Sequence, residues 1–414
     1  VEGHGPGRRR AIRTAAALGA AVALLTPSLL VGCADPKASD GSVRGIQRTL
    51  DARAAAVLAR DEHSYLAQFA PEATQLRAEE RRQFHNLAEV PFDFWEYRAA
   101  HVRRDGAQAS ADVELRYRIT GYDSAPVISA RRVELGLRDG RWYVTADRPA
   151  KDSAQQLWQQ GRVRAVHGER SLVLGVDQDT ARLKALAQRA DRAVPAVSDA
   201  WPSRWARRVV VLVPASLEAM GALLGAPATS YRGIAAVTTG ETGRAGATPA
   251  DRVIVNPSAY AVLGDFGQDV VLTHETAHVA TRAHTSHATP MWLSEGFADW
   301  VAYRGSGRTA SQSAPELQRA VRAGDVPPAL PSDDDFAFGA QPDALARAYE
   351  GGWLAAELIA ERWGEKNLTT FYREVGAAKS RAGAVEKAMA EVLETTPEHF
   401  TVQWRNHLRE RLGG

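Results

Sequence analysis

The stretch His274-Glu275-Thr276-Ala277-His278 sets two imidazoles four residues apart with a carboxylate beside the first. On a helix, positions i and i+4 share a face, so His274 and His278 can each direct one ring nitrogen at the same cation. Two ligands are half of a catalytic zinc site, which takes three from the protein and keeps its fourth position for water. Glu295, seventeen residues beyond His278 in Trp292-Leu293-Ser294-Glu295-Gly296-Phe297-Ala298-Asp299, is the carboxylate expected to complete it. Zinc lowers the pKa of such a water toward about 7, and Glu275, adjacent to a ligand and aimed at the open position, is the group expected to take its proton. One Zn2+ per chain is the implied cofactor.

The elements that must hold these groups are legible around them. The flanks Val270-Val271-Leu272-Thr273 and Val279-Ala280 are apolar or uncharged and free of proline, and Glu275 is the only charge between Asp269 and Arg282, so the spacing predicts a buried helix. Pro290 can open a second helix in its first turn, and residues 291–303 continue it with Gly296 as the one weak point. Glu295 and Asp299 then share a face, and Asp299 is spaced to accept the second ring N–H of His274, which would fix its tautomer. A rival third ligand is His284, which stands where the pattern His-Glu-x-x-His-x-x-Gly-x-x-His ends. Thr281 occupies the glycine position of that pattern, and a β-branched residue resists the positive φ needed there. Met291 also comes too early for a Met-turn, so Glu295 is preferred and His284 is expected at a helix end.

Together these residues resemble the gluzincin metallopeptidases, particularly the small peptidase-MA-like group. The resemblance covers about residues 160 to 410. Apolar segments at 209–213, 233–237 and 252–257 read as strands ahead of the zinc helix, in the family's order. Ala348-Tyr349-x-x-Gly352-Trp353 and the residues up to Gly364 resemble its downstream helix. The resemblance implies zinc-dependent hydrolysis of peptide bonds, with a peptide or protein substrate lying extended along a sheet edge, expected at residues 233–239. It also implies a tyrosine or histidine on the developing oxyanion; Tyr349 is the candidate, with Tyr303, His284 and His287 as competitors. The family's aminopeptidases carry an acidic motif containing Gly and Met ahead of the zinc helix, and none stands between positions 233 and 269, which favours endopeptidase action. The alternative is a non-proteolytic zinc-bearing surface binding or assembly protein, or a structural zinc; either leaves Glu275 without a purpose.

The ends of the chain bear on location. Arg8-Arg9-Arg10 with Arg13, an apolar run over residues 15–30, and Leu30-Val31-Gly32-Cys33 resemble a bacterial lipoprotein signal peptide and lipobox over residues 1–33. That implies a lipid on Cys33 and an extracytoplasmic protein anchored to the cell membrane without crossing it. Cys33 is the sole cysteine, so disulfides and cysteine-ligated zinc are excluded. Residues 34–42 read as a flexible tether. With 51 Lys and Arg against 49 Asp and Glu, no nucleic-acid partner is expected.

Residues 43–149 change from helical spacing (43–69, then 78–87) to four strands near 95–102, 109–119, 130–137 and 142–146, the last two joined at Asp139-Gly140. This pattern resembles the nuclear-transport-factor type of cone. A ligand pocket lined by Phe92, Phe94, Trp95 and Tyr117 is conceivable there, but plain core is the favoured reading. His63, His85 and His101 lack catalytic partners in sequence. The expected fold class is α+β: an N-terminal helix with a curved antiparallel sheet (43–149), then a zincin-like peptidase domain (153–414) with a small mixed sheet and a mostly helical C-terminal part.

Overall fold

The computed structural model describes residues 40–151, 153–239, 251–337 and 341–413. The targeting segment, Cys33 and the tether as far as residue 39 lie outside them. Helix α1 (Asp40–Ala59) forms because Ile46, Leu50, Ala54 and Val57 recur at three- and four-residue spacing and bury one face. It stops where Arg60 turns left-handed at φ 57°, and Asp61 caps α2 (Glu62–Leu66) by accepting the Ser64 N–H. The single helix expected over 43–69 is therefore two. Helix α3 (Thr74–Asn86) follows.

Strands β1 (Phe92–Asp105), β2 (Gln108–Ile119), β3 (Val127–Arg138) and β4 (Arg141–Pro149) make an antiparallel sheet in chain order. Along β2 every second residue from Ala109 to Ile119 is buried, the period-2 signature of a half-covered sheet. Asp139 and Gly140 join β3 to β4 with φ of 46° and 75°, the two-residue turn that this pair of residues predicts. The conceived pocket is filled. A β-bulge between Phe92 and Phe94 brings Phe92 onto the face of Trp95, and Phe92, Trp95, Tyr117 and Trp158 pack ring on ring at 4.9–5.9 Å between centroids. A void of about 20 Å³ remains beside Tyr117 and Trp158. Phe94 does not join this cluster and lies beneath the Arg118 guanidinium.

Beneath the same sheet, charge is buried as well. The Arg53 guanidinium donates to Asp147 at 2.6 Å, Glu80 at 3.0 Å and the Tyr65 hydroxyl at 3.1 Å. Arg131 donates to the other Asp147 oxygen, and the Tyr65 hydroxyl donates to Glu80. Arg53 also lies over the Tyr97 ring at 4.5 Å.

After α4 (Leu157–Gln160) come β5 (Val163–His167), β6 (Ser171–Val176), α5 (Thr180–Ala200), β7 (Val209–Val213), α6 (Leu217–Leu224), β8 (Ala236–Thr239) and β9 (Arg252–Val255). The sheet order is β5-β6-β7-β9-β8, with β6, β7 and β9 parallel and antiparallel strands at both edges. Leu172, Leu174, Val210 and Ile254 share one apolar cluster with the core of the first sheet. Val173, Val211, Val213, Val253 and Val255 pack instead with Leu183, Leu186 and Val194 of α5 and with Leu272. Burial on both faces is why β7 reads as an uninterrupted apolar run. Elements β5, β6 and α5 went unread in the sequence, and the strand expected at 233–237 begins only at Ala236, because Gly233 turns the chain at φ 87°.

The remainder is helical: α7 (Pro257–Ala261), α8 (Asp265–Thr281), α9 (Met291–Tyr303), α10 (Ala310–Ser313), α11 (Pro315–Arg322), α12 (Pro342–Trp363), α13 (Glu365–Ala377), α14 (Ala384–Val392) and α15 (Pro397–Leu412). Leu293, Phe297, Phe371, Tyr372, Phe400 and Trp404 are fully buried among them. The fold class is the expected α+β, with a four-stranded antiparallel sheet, a small mixed sheet and a helical C-terminal part. No described helix is long and apolar enough to cross a membrane.

Candidate metal centre

Helix α8 carries His274 and His278 on one face, and its other faces bury Leu272, Thr276, Ala277 and Ala280. Its first turn is tied to α5: Asp265 accepts from Arg189 at 2.6 Å, and Asp269 accepts from Arg189 and Arg192 at 2.9 and 2.7 Å. The helix runs through Thr281 with right-handed backbone, so the turn that the rival histidine pattern needs is not made. His284 packs instead against the Trp201 ring at 5.6 Å, and burial, then Arg373, holds its pKa below the ordinary value.

Helix α9 presents Glu295 and Asp299. Pro290 stands at its N-cap, one residue earlier than expected, and Asp333 accepts the N–H of Met291 at 2.9 Å. Glu295 reaches the histidines because α9 and α12 cross with backbone against backbone. A Cβ on Gly296 would stand 2.1 Å from the Gly352 carbonyl oxygen, and one on Gly352 would stand 2.8 Å from the carbonyl oxygen of Trp292.

The result is a triangle of three potential ligand atoms. His274 Nε2 and His278 Nε2 are 3.0 Å apart, and Glu295 Oε2 lies 3.2 Å from the first and 3.4 Å from the second. In a tetrahedral site with ligands about 2.0–2.2 Å from zinc, ligand atoms stand roughly 3.3–3.6 Å apart, a few tenths of an ångström wider than these separations. The donor set, two imidazole nitrogens and one carboxylate oxygen, is also one that zinc takes. The residues present fit the ion.

Asp299 Oδ1 lies 2.7 Å from His274 Nδ1, the expected contact. That bond puts the ring proton on Nδ1 and leaves the Nε2 lone pair for a ligand. Burial lowers the His274 pKa, but Asp299 and Glu295 overcome it and hold it well above the ordinary value. Burial works the other way on Glu295, where His278 and His274 hold the carboxyl below the usual range. Both displacements report a site that favours added positive charge.

Among solved structures, native yeast LTA4 hydrolase superposes with a TM-score of 0.35 at 14% sequence identity, over 66% of this chain and 43% of that one. A SEC-C motif containing protein from Rhodopseudomonas palustris gives 0.20 at 21% identity, over 24% of this chain and 73% of its own. Likenesses of this strength leave the reading of the site to its own geometry. No protein-family model and no curated protein sequence matches the chain.

Glu275 is buried beside the triangle, and its Oε2 accepts from the Thr238 hydroxyl of β8 at 2.5 Å. Strand β8 is the edge of its sheet and lies along α8, so edge, carboxylate and histidines border one cavity of about 810 Å³. Tyr349 lines it too, with its ring 6.4 Å from that of His274. It sits in the second turn of α12, which starts at Pro342 and not at Ala348 as expected. Burial, then Glu295, Asp299 and Glu275, pushes its hydroxyl pKa well up. Tyr303 and His287 also line the cavity, whereas His284 does not. Thr238, Gly352 and Asp333 were missed in the sequence. Each acts through a contact tens of residues away, and only Gly352, inside an otherwise strong helix, gave a local sign of a close approach.

Proposed function

We propose that this chain is a zinc-dependent endopeptidase whose ion is held by His274, His278 and Glu295. The observation that carries the reading is the triangle of ligand atoms at 3.0, 3.2 and 3.4 Å, with an acid beside it that is not a member. When bound, zinc supplies a Lewis acid for the scissile carbonyl and lowers the pKa of a water to about 7. Glu275 takes the proton of the attacking water and delivers it to the leaving amine. Thr238 keeps that carboxylate aimed by donating to Oε2, which leaves Oε1 for the water. Asp299 holds His274 in the tautomer that offers Nε2. Tyr349, kept protonated by its raised pKa, donates to the carbonyl oxygen as negative charge develops on it. The edge of β8, unpaired on its outer side among the described residues, offers main-chain pairing to an extended peptide.

The test is digestion of a mixed peptide pool by the zinc-loaded chain and by its Glu275→Gln variant, read by mass spectrometry beside a metal assay. Equal zinc with turnover reduced about 10²–10⁴-fold is expected. Equal turnover would remove Glu275 from the mechanism, and no cleavage by either protein would favour a zinc-bearing binding protein. The lipobox-like segment extends the proposal to a lipid-anchored enzyme on the extracytoplasmic face. Cys33→Ala should then leave the membrane fraction.

A further inference from the structure

Beyond Tyr349 the cavity continues into a second chamber of about 560 Å³, and Ile234, Asp299, Tyr303, Leu345 and Tyr349 border both. Its position is defined by the site: it lies on the side of Asp299, the partner of His274, and on the side where Gly233 turns the chain into β8. A substrate paired with that edge therefore passes it on one side of the scissile bond only.

The lining decides what fits. Tyr303, Tyr349 and Trp353 offer ring surface, with Leu345 and Pro342 completing apolar walls. Two acids border the chamber, yet neither offers a free charge. Asp299 is held by His274, and Glu350 accepts the N–H groups of Glu316 and Leu317 at 3.3 and 2.6 Å, the open start of α11. Burial, then Glu316, raises the Glu350 pKa to about 8, and both of its oxygens are taken up by those N–H groups. Arg232, exposed at the chamber wall, adds positive charge and opposes a cationic side chain. Ser313 also lines the chamber, and its Oγ is buried with no hydrogen-bond partner among the described residues.

We infer that this chamber is a specificity subsite for a large aromatic side chain next to the scissile bond, packed against Tyr349 and the touching rings of Tyr303 and Trp353. Apolar ring contact rather than a polar partner sets the preference, because the Ser313 Oγ is sealed away from the chamber. The inference deepens the peptidase reading and rests on it for the position of the bond.

Ala346 borders this chamber and not the one over the histidines, and it is half-buried on α12, so Ala346→Trp plugs the subsite without touching the metal residues. Digests of peptides that differ only in Tyr, Phe, Lys or Ala beside one cleavable bond are compared for the zinc-loaded full chain and this variant. The native chain should cut Tyr and Phe peptides at least about 10-fold faster than Ala or Lys peptides, at one fixed position relative to the bond. The variant should lose that preference and still cut the Ala peptide within about two-fold of the native rate. A melting curve checks folding, with Ala346→Leu as the smaller plug. Calorimetric titration of Glu275→Gln with the same peptides reads the subsite without turnover. Cleavage with no aromatic preference, or a preference that survives the plug, overturns the inference and leaves the peptidase reading intact. Absence of cleavage with a retained aromatic preference in binding overturns the peptidase reading alone, and equal binding of all four peptides overturns the subsite.

Discussion

Two clusters of buried polar groups, one under the first sheet and one between α8 and α9, show how much depends on whether a network closes. Under the sheet, Arg53 and Arg131 face Glu80 and Asp147, so two positive groups meet two negative ones and each has a partner of opposite charge. Between the helices, His274, His278 and Glu295 turn their electron-rich atoms toward each other at 3.0–3.4 Å, with Asp299 behind and Glu275 beside. The first cluster balances its charges without an ion, although the Arg53 Nε has no hydrogen-bond partner among the described residues. The second brings lone pairs together and is complete only with a cation at their centre. The second is also the more open, with side chains 11–16% exposed against 0–6% under the sheet, and convergence of like-natured atoms beside that opening is the feature that separates a site from a strut.

The contrast can be broken most directly at His278. His278→Ala should take zinc from about one per chain to none in a metal assay and abolish peptide cleavage, because two ligands no longer make the site. Arg53→Met tests the other side. It leaves two buried carboxylates with one guanidinium between them and should cost about 3–5 kcal/mol in denaturant unfolding, with zinc affinity unchanged. Loss of zinc binding in that variant would show that the clusters are not independent. Asp299→Ala should weaken zinc about 10–100-fold in a chelator competition and leave stoichiometry at saturation unchanged. The smallest effect is expected at Glu350, whose folded pKa is raised by burial and by Glu316 to about 8. A raised folded pKa means that the folded chain holds a proton the unfolded chain has lost. This contribution to stability is full below about pH 4.3 and disappears as pH rises through about 8. Glu350→Gln should therefore flatten the decline in melting temperature across that window, and an unchanged slope would refute the assignment.

How much of this was legible in sequence depended on range. His274, Glu275 and His278 are related by one helical turn, and Glu295 and Asp299 by another, so their types and spacing pointed to one face each before any fold was known. The Asp139-Gly140 hairpin was equally local. By contrast, β6 is a short apolar run, which periodicity does not separate from buried helix, and α5 carries Pro195 inside it and so reads as interrupted. The Thr238 contact to Glu275 spans 37 residues, and Arg53 meets Asp147 across 94. Nothing in the neighbourhood of Thr238 or Arg53 along the chain marks either contact, because both are made only when sheet and helix have packed. Tyr349 was expected at the start of a helix running through Gly352 to Gly364, whereas α12 begins at Pro342 and places it in the second turn.

That crossing of α9 and α12 has a mechanical consequence. Where most helix pairs are kept apart by interleaved side chains that can change rotamer, Gly296 and Gly352 bring main chain onto main chain. The gap between the helix bearing Glu295 and the helix bearing Tyr349 is therefore a hard stop with no side chain to act as a spring. Thermal agitation can rock the two helices about that point, but it has little room to change their distance there, so the spacing across the site is insulated from repacking elsewhere in the helical core.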